Sequence, residues 1–363
     1  MPSNDLELVV GGRALSGWEE VEIQRSLEAI AGSFTVRASD KGGWPVEPQS
    51  SCEIKMQGEL ALTGFVDQVR VALGPREHSI EVAGRDKAGD LVDCSATNLP
   101  GHWDDVDLYD LVAQLCDPFQ LTVVAAVDLG DRFVQFALQP GESVYEAIER
   151  ACRLRAVLAT SDGLGRVILT RAKQDGTAVD LVEGENLESI SLTIDDTGRY
   201  RDYIVRGQQQ ASDIASVEDA AGAEGRAVDE GARANRTLIL IAEGQVSDRT
   251  AEKRARWEAT VRAARANPVS VVVTGWRQVP GGPLWQPNQL TNVHSPTLRI
   301  DMPMLVVSVR MRRSLTEGTT TELGLVRPDA FLPEKIPTAE DDPGGLGGED
   351  LEEEDLGGGE DDL

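Results

Sequence analysis

Histidine is nearly missing from this chain of 363 residues. His78, His102 and His294 are the only three. They stand far apart, and none has the HxH or HExxH spacing that a zinc centre uses. The four cysteines, Cys52, Cys94, Cys116 and Cys152, form no CxxC pair. That argues against structural zinc and fits buried free thiols in reducing surroundings. Aromatic residues make up only 4% of the chain, so its cores must be built from Val, Leu, Ile and Ala. No run approaches the length of a membrane span, and no basic-then-apolar leader opens the sequence, so direct membrane insertion is not expected. GxSxG and the Walker GxxxxGK[ST] are both missing. These absences predict no catalytic residue, no metal and no cofactor.

Positive charge is also short. Thirty-five Lys and Arg face sixty-two Asp and Glu, a formal charge of -27. Residues 338–363 hold twelve of the acids and no base, yet the other fifty acids still outnumber all the bases. A surface this negative repels phosphate and anionic membrane, so stable nucleic-acid binding is not expected. The same charge suits a channel through which DNA slides without being gripped.

What is present is mainly β pattern. Residues 1–95 alternate in short apolar segments broken by Gly and Pro, which predicts a first barrel-like β domain. Residues 96–187 read as an α+β domain. Asp107 caps a helix through LYDLVAQLC, and Ser143 with Glu146 forms a capping box before VYEAIERACRLR. Val157–Thr160 and Val167–Thr170 form a hairpin there, and Arg150 and Arg153 are expected in solvent. Residues 188–210 and 268–333 read as strands and make up a second β-rich, barrel-like module. The stretch between them, 211–267, is polar at first and ends in a helix over 248–266. That helix is basic, which suits a solvated face, a contact with an acidic neighbouring subunit, or nucleic acid. The tail 338–363, mostly Gly, Asp and Glu with a few Leu, predicts disorder. The fold class expected is therefore α+β, mainly β: two barrel-like domains and an α+β domain. No strong sequence repeat between the two β domains stands out.

Carboxylate pairs offer little chemistry. Asp195 and Asp196 are adjacent, so near a strand they point to opposite faces and suit a turn start. Glu146 has a local role as capping partner. His294 in NVHSP reads as a turn residue.

Three stretches carry a family resemblance: GFVD at 64–67, GRDKAGDLVDCSA at 84–96, and PGESVYEAIERACR at 140–153. AEKRARWEATVRA at 251–263, WQPN at 285–288 and the strand 305–313 add to it. In this order they resemble the Mu-type baseplate hub, or late control, family of contractile phage tails. The resemblance implies a structural part of the virion tail, made in the host cytoplasm. It implies a homotrimeric ring of alternating β domains, the second split into 188–210 and 268–333 around the insertion 211–267, that contacts tail spike, tail tube and baseplate proteins and lets DNA pass. Interface residues would then matter most. Gly84 permits a tight corner, and Arg85 and Asp86 pair across subunits or brace the turn locally. Trp276 and Trp285 are either interface anchors or core. The rival readings are a cell-wall- or carbohydrate-active tail protein and a monomeric β-rich binding protein. A hub from a defective prophage or bacteriocin particle would read the same way.

Overall fold

A computed structural model describes residues 6–15, 17–39, 46–74, 78–176, 178–207, 223–242 and 248–332. The predicted acidic tail lies outside them.

The first strands are β1 (Leu6–Val10), β2 (Arg13–Leu15), β3 (Glu20–Ser26), β4 (Ser33–Ala38), β5 (Ser51–Met56), β6 (Glu59–Leu73) and β7 (His78–Asp86). Helix α1 (Gly89–Asp93) leads to β8 (His102–Val106), α2 (Leu108–Cys116), β9 (Thr122–Ala125), β10 (Phe133–Ala137), α3 (Val144–Leu154), β11 (Leu158–Ser161) and β12 (Arg166–Thr170). Then come β13 (Leu181–Val182), β14 (Ser189–Leu192), β15 (Asp202–Arg206), β16 (Glu224–Val228), β17 (Thr237–Ile241) and α4 (Asp248–Arg265). The chain closes with β18 (Val269–Thr274), β19 (Leu290–Ser295), β20 (Ile300–Ser314) and β21 (Gly318–Val326).

The two expected barrels do not exist. One open sheet of thirteen strands runs β14-β18-β21-β20-β3-β4-β7-β6-β5-β1-β2, with β19 beside β20 and β13 beside β19. The physical reason lies at β3. Its outer edge pairs with Ser308–Arg313 of β20 rather than returning to its own module. Both β modules thus become halves of a single sheet, and β2 and β14 end it. A single apolar cluster draws from both halves, from Leu8, Val36, Ile54 and Val82 to Val271, Val293, Val306 and Leu325.

The halves repeat one pattern. β5, β6, β7, β4 and β3 are ordered as β19, β20, β21, β18 and β14. β6 and β20 are each fifteen residues long. Each is bulged, between Val66 and Gln68 and between Val306 and Ser308. A bulge sharpens local twist, so each long strand can pair with different neighbours at its two ends. Val66-Asp67-Gln68-Val69-Arg70 and Val306-Val307-Ser308-Val309-Arg310 are the matching segments.

The α+β module has its own core, from Leu91, Leu111 and Val112 to Ile148, Cys152 and Leu169. Its caps form as the sequence predicts. Asp107 Oδ1 accepts from the Asp110 amide at 2.7 Å, and Ser143 and Glu146 exchange both capping bonds. β11 and β12 make the expected hairpin, to which β9 adds in parallel. Arg150 differs from expectation. It bonds Glu142 at 2.8 Å and covers the Phe136 ring at 4.3 Å, because both partners lie on the loop and strand just before α3. His294 is in β19, not a turn, with Nδ1 2.7 Å from Asp301.

A small sheet, β16-β15-β17, packs on α4. Gly225 allows this, since a Cβ there would overlap the Ala251 backbone. Four basic side chains of α4 find partners within the chain. Arg256 bonds Glu252. Arg254 and Arg262 both bond Glu258, and Arg265 reaches the Ala330 carbonyl.

Candidate functional site

The chain leaves the first half of the sheet at Gly84-Arg85-Asp86. Gly84 is required by crowding rather than by φ. A Cβ there would overlap the Phe65 carbonyl oxygen and come within 2.8 Å of the Phe34 ring. Gly64, across the strand pair, is equally confined by the Arg85 carbonyl and Asp86 Cα. Two glycines on facing strands thus bring the β6 and β7 backbones together under Phe34.

Arg85 points out from this corner. Its Nε donates to Asp67 Oδ2 at 2.8 Å, and Nη1 and Nη2 fork onto Asp93 at 3.1 and 2.5 Å. Asp67 is the bulged residue of β6, so the bulge is what aims its carboxylate. The hydrogen bonds to Asp93 and then Asp67 raise the guanidinium pKa, and the same contact lowers that of Asp93. All three partners belong to one chain, and they tie α1 to the sheet.

Asp86 points in and is only 2% exposed. Its Oδ2 accepts from the Gly32 amide and its Oδ1 from the Ala88 amide, both at 2.9 Å. Burial raises its pKa, against hydrogen bonds from Gly32, Ser161 and Ala88 and the nearby Arg25 charge. Arg25 is itself shifted down by burial and donates to the Ser161 carbonyl at 3.0 Å. The Thr63 amide bonds the Gly163 carbonyl at 2.7 Å, and the Lys87 amide the Thr63 carbonyl at 3.1 Å. The corner is therefore a joint. It locks β3, β6 and β7 to the β11–β12 turn of the α+β module. The sequence motif pointed to Gly84, Arg85 and Asp86. It did not point to Arg25 or Ser161, which are distant in sequence and carry no spacing signal, and Asp67 stood in the GFVD stretch with no role assigned to it.

Trp276 and Trp285 are each 1% exposed and lie in the main core. Trp276 Nε1 donates to the Arg312 carbonyl at 3.1 Å, and the Trp285 amide to the Trp276 carbonyl at 3.1 Å. The two are brought together with each other and not with the Gly84–Asp86 corner.

Among the described residues no group of three or more His, Cys, Asp or Glu could hold a metal. No helix among them is long and apolar enough to cross a membrane. The polar groups at the corner hold backbone in place, and the Ser161 hydroxyl that meets the Asp86 carboxylate is buried with it. The corner is thus a bracing joint between two modules on a duplicated sheet, the kind of feature on which a structural assembly protein is built.

The particular family follows from three matches along the chain. Residues 5–86 match the Mu phage baseplate assembly protein GpP-like N-terminal family. Residues 88–171 match the second domain of the baseplate hub protein gp44-like family, and 247–334 the fourth domain of Mu phage baseplate assembly protein GpP. Over 360 residues the chain is 31% identical to baseplate hub protein gp44 of Escherichia phage Mu, covering 96% of this chain and 93% of that one. The chain belongs to the Mu-type baseplate hub family, and so is a structural component of the virion tail, made in the host cytoplasm before assembly. The crystal structure of the 43 kDa tail protein of prophage MuSo2 from Shewanella oneidensis is similar, with TM-score 0.82 and 28% identity, covering 91% of this chain and 99% of that one. A tail protein from Neisseria meningitidis shares the fold at TM-score 0.77 and 22% identity, covering 92% and 99%.

Proposed function

We propose that three copies of this chain form a ring that joins the tail tube and baseplate to the central spike, and that DNA passes through it. The observation that carries this reading is the repeat within the sheet. Each chain brings two copies of one strand pattern, so three chains bring six. Six similar sectors with true threefold symmetry suit a sixfold tube on one side and a threefold spike on the other. On this reading residues 1–95 and the split segments 188–210 and 268–333 build the ring. The α+β module, 96–187, and the insertion, 211–267, face outward or toward the spike.

The polar face of the sheet supports passage of a polyanion. Three of its arginines are already paired. Arg37 meets Glu81 at 3.1 Å, Arg312 meets Glu22 at 2.9 Å, and Arg310 meets Glu322 at 3.1 Å. A guanidinium held by a carboxylate has little left for phosphate.

Native mass measurement tests the ring. The expected result is a species of three 39.1 kDa chains. A monomer that persists at high concentration with spike and tube proteins present would overturn the reading.

A further inference from the structure

Within one chain the two halves of the sheet are joined by a single seam, and its strands have counterparts that lack one. β3 supplies one side, with Ser26 opposite Ser308, Arg25 opposite Val309, Ile23 opposite Met311 and Val21 opposite Arg313. In the repeat, β14 corresponds to β3. Val21 faces Val36 as Ile190 faces Val271, and Ile23 faces Phe34 as Leu192 faces Val269. The second half of β6 corresponds to the second half of β20, from the bulge onward.

Both counterparts are open. β14 ends the sheet, and past Val66 the outer edge of β6 has no strand beside it among the described residues. Up to that point the two long strands are held alike. The Val66 amide bonds the Ser50 carbonyl at 3.0 Å, and the Val306 amide the Gln289 carbonyl at 2.8 Å. One step later the strands differ. The Val307 carbonyl accepts from the Leu27 amide of the β3 segment at 2.8 Å.

We infer that β14 of one chain pairs antiparallel with Gln68–Leu73 of a second copy, repeating between chains the β3–β20 seam found within one. The inference rests on the trimeric reading and adds the surface that closes it. The repeat also sets the register. Val71 stands opposite Leu192 of the next copy, Ala72 opposite Ser191, and Leu73 opposite Ile190. Carried two residues further, Val69 stands opposite Ile194.

Exposure points to the same edges independently. Leu73 is 82% exposed and Ile194 71%. An open strand edge with bare apolar side chains is a template for another strand. Val69, Val71, Ile190 and Leu192 already pack partly against the main core, so a strand laid alongside would extend that core. Three such seams would close the six repeats head to tail, joining β14 of each chain to β6 of the next. The polar side of the new seam also differs from the old. Where the intrachain seam has Arg312 on Glu22, the new one has Ala72 beside Ser191. It therefore rests on backbone bonds and apolar contact, and the trimer should survive about 1 M salt, where exposed ion pairs are screened.

The test is a cross-link between Ala72→Cys and Ser191→Cys with a short bismaleimide, in a Cys94→Ser background that removes the exposed native thiol. Opposed residues in a strand pair have Cβ atoms about 5 Å apart, well within reach. The double variant should give covalent dimers and trimers, and each single variant neither. Glu22→Cys with Arg312→Cys is the control, cross-linking inside one chain. If the mass is trimeric and the control reacts but the double variant gives no ladder, the seam is wrong and the ring stands. If no trimer forms, both fall. Leu73→Asp and Ile194→Asp should each weaken the trimer by about tenfold or more with unchanged circular dichroism. Val134→Asp, at an exposed site in the α+β module, should not. Equal effects from all three would overturn the seam.

Discussion

Gln49 and Asn288 hold the same left-handed backbone conformation, with φ 68° and 63°. Each follows a proline and donates its amide to a valine carbonyl just before a bulge, Gln49 to Val66 at 2.7 Å and Asn288 to Val306 at 2.8 Å. A non-glycine residue at positive φ is uncommon and asks for a local reason. Here the reason is shared. The turn must bring the chain back beside a long strand at the place where that strand changes neighbours.

The two positions should nevertheless tolerate change differently. Asn288 also accepts from the Lys173 amide at 2.9 Å and donates to the Arg171 carbonyl at 3.0 Å, tying the α+β module to the second half of the sheet. Gln49 is exposed. Asn288→Ala should cost about 2–3 kcal/mol, from backbone strain plus two lost hydrogen bonds. Gln49→Ala should cost no more than about 0.5 kcal/mol, since glutamine and alanine carry the same Cβ and bear the same left-handed strain. Urea denaturation of both variants checks the difference, and equal losses would contradict it.

Gly84→Ala should be among the most damaging small changes in the chain. The methyl would have to displace the Phe65 carbonyl or the Phe34 ring, and both are fixed by the sheet. Overpacking of this kind costs about 3 kcal/mol. Gly141→Ala is the comparison. It has positive φ, 86°, but open space around a Cβ, so only strain of about 1 kcal/mol is expected. The order of the two losses in thermal or chemical melts is the outcome to read.

Asp86→Asn should weaken the joint between sheet and α+β module. Both carboxylate oxygens accept backbone amides, and an amide side chain can satisfy only one of them. The cost should be about 2 kcal/mol. The pH trend has a definite sign. Burial raises the folded-state pKa of Asp86 above its ordinary 3.8. Its contribution is therefore fully present below that value and declines as pH rises through the folded pKa. The penalty of the variant should be largest at the acid end of a titration of stability and shrink toward neutrality. A penalty that grows with pH would show the charged form to be the favoured one.

Much of this architecture was legible where the signal is local. Asp107, Ser143 and Glu146 act within a few residues, so caps and helices could be read from spacing. The β11–β12 hairpin was legible for the same reason. The single sheet was not, because β3 and β20 meet from opposite ends of the chain and alternation says which face is apolar, not which neighbour is chosen. Short strands at regular spacing suit a barrel or an open sheet equally. The repeat went unseen although Val66, Val69 and Arg70 match Val306, Val309 and Arg310, since a few shared residues gain meaning only once the bulges align. At the site, Gly84 to Asp86 could be picked out as a corner. Arg25 and Ser161 could not, because charge pairing across the fold leaves no pattern in sequence.

The thiols give a prediction that depends on burial alone. Cys52, Cys116 and Cys152 are buried and Cys94 is exposed. Burial is the leading cause that pushes the first three thiols from 9.0 up to about 12. The thiolate is the reactive form, so at about pH 8 the native chain should take up one equivalent of a thiol reagent, at Cys94. Unfolded chain should take up four, one for each cysteine. The same shifts set an alkaline limit. Each buried thiol is bound to its proton more tightly in the folded state, so its contribution is complete below 9.0 and is lost as pH rises toward about 12. Replacing Cys116 and Cys152 with alanine should flatten that alkaline decline. It should also cost stability at neutral pH, since both side chains fill the core of the α+β module. Rapid labelling of more than one site in the native protein would mean that this core opens far more readily than its packing implies.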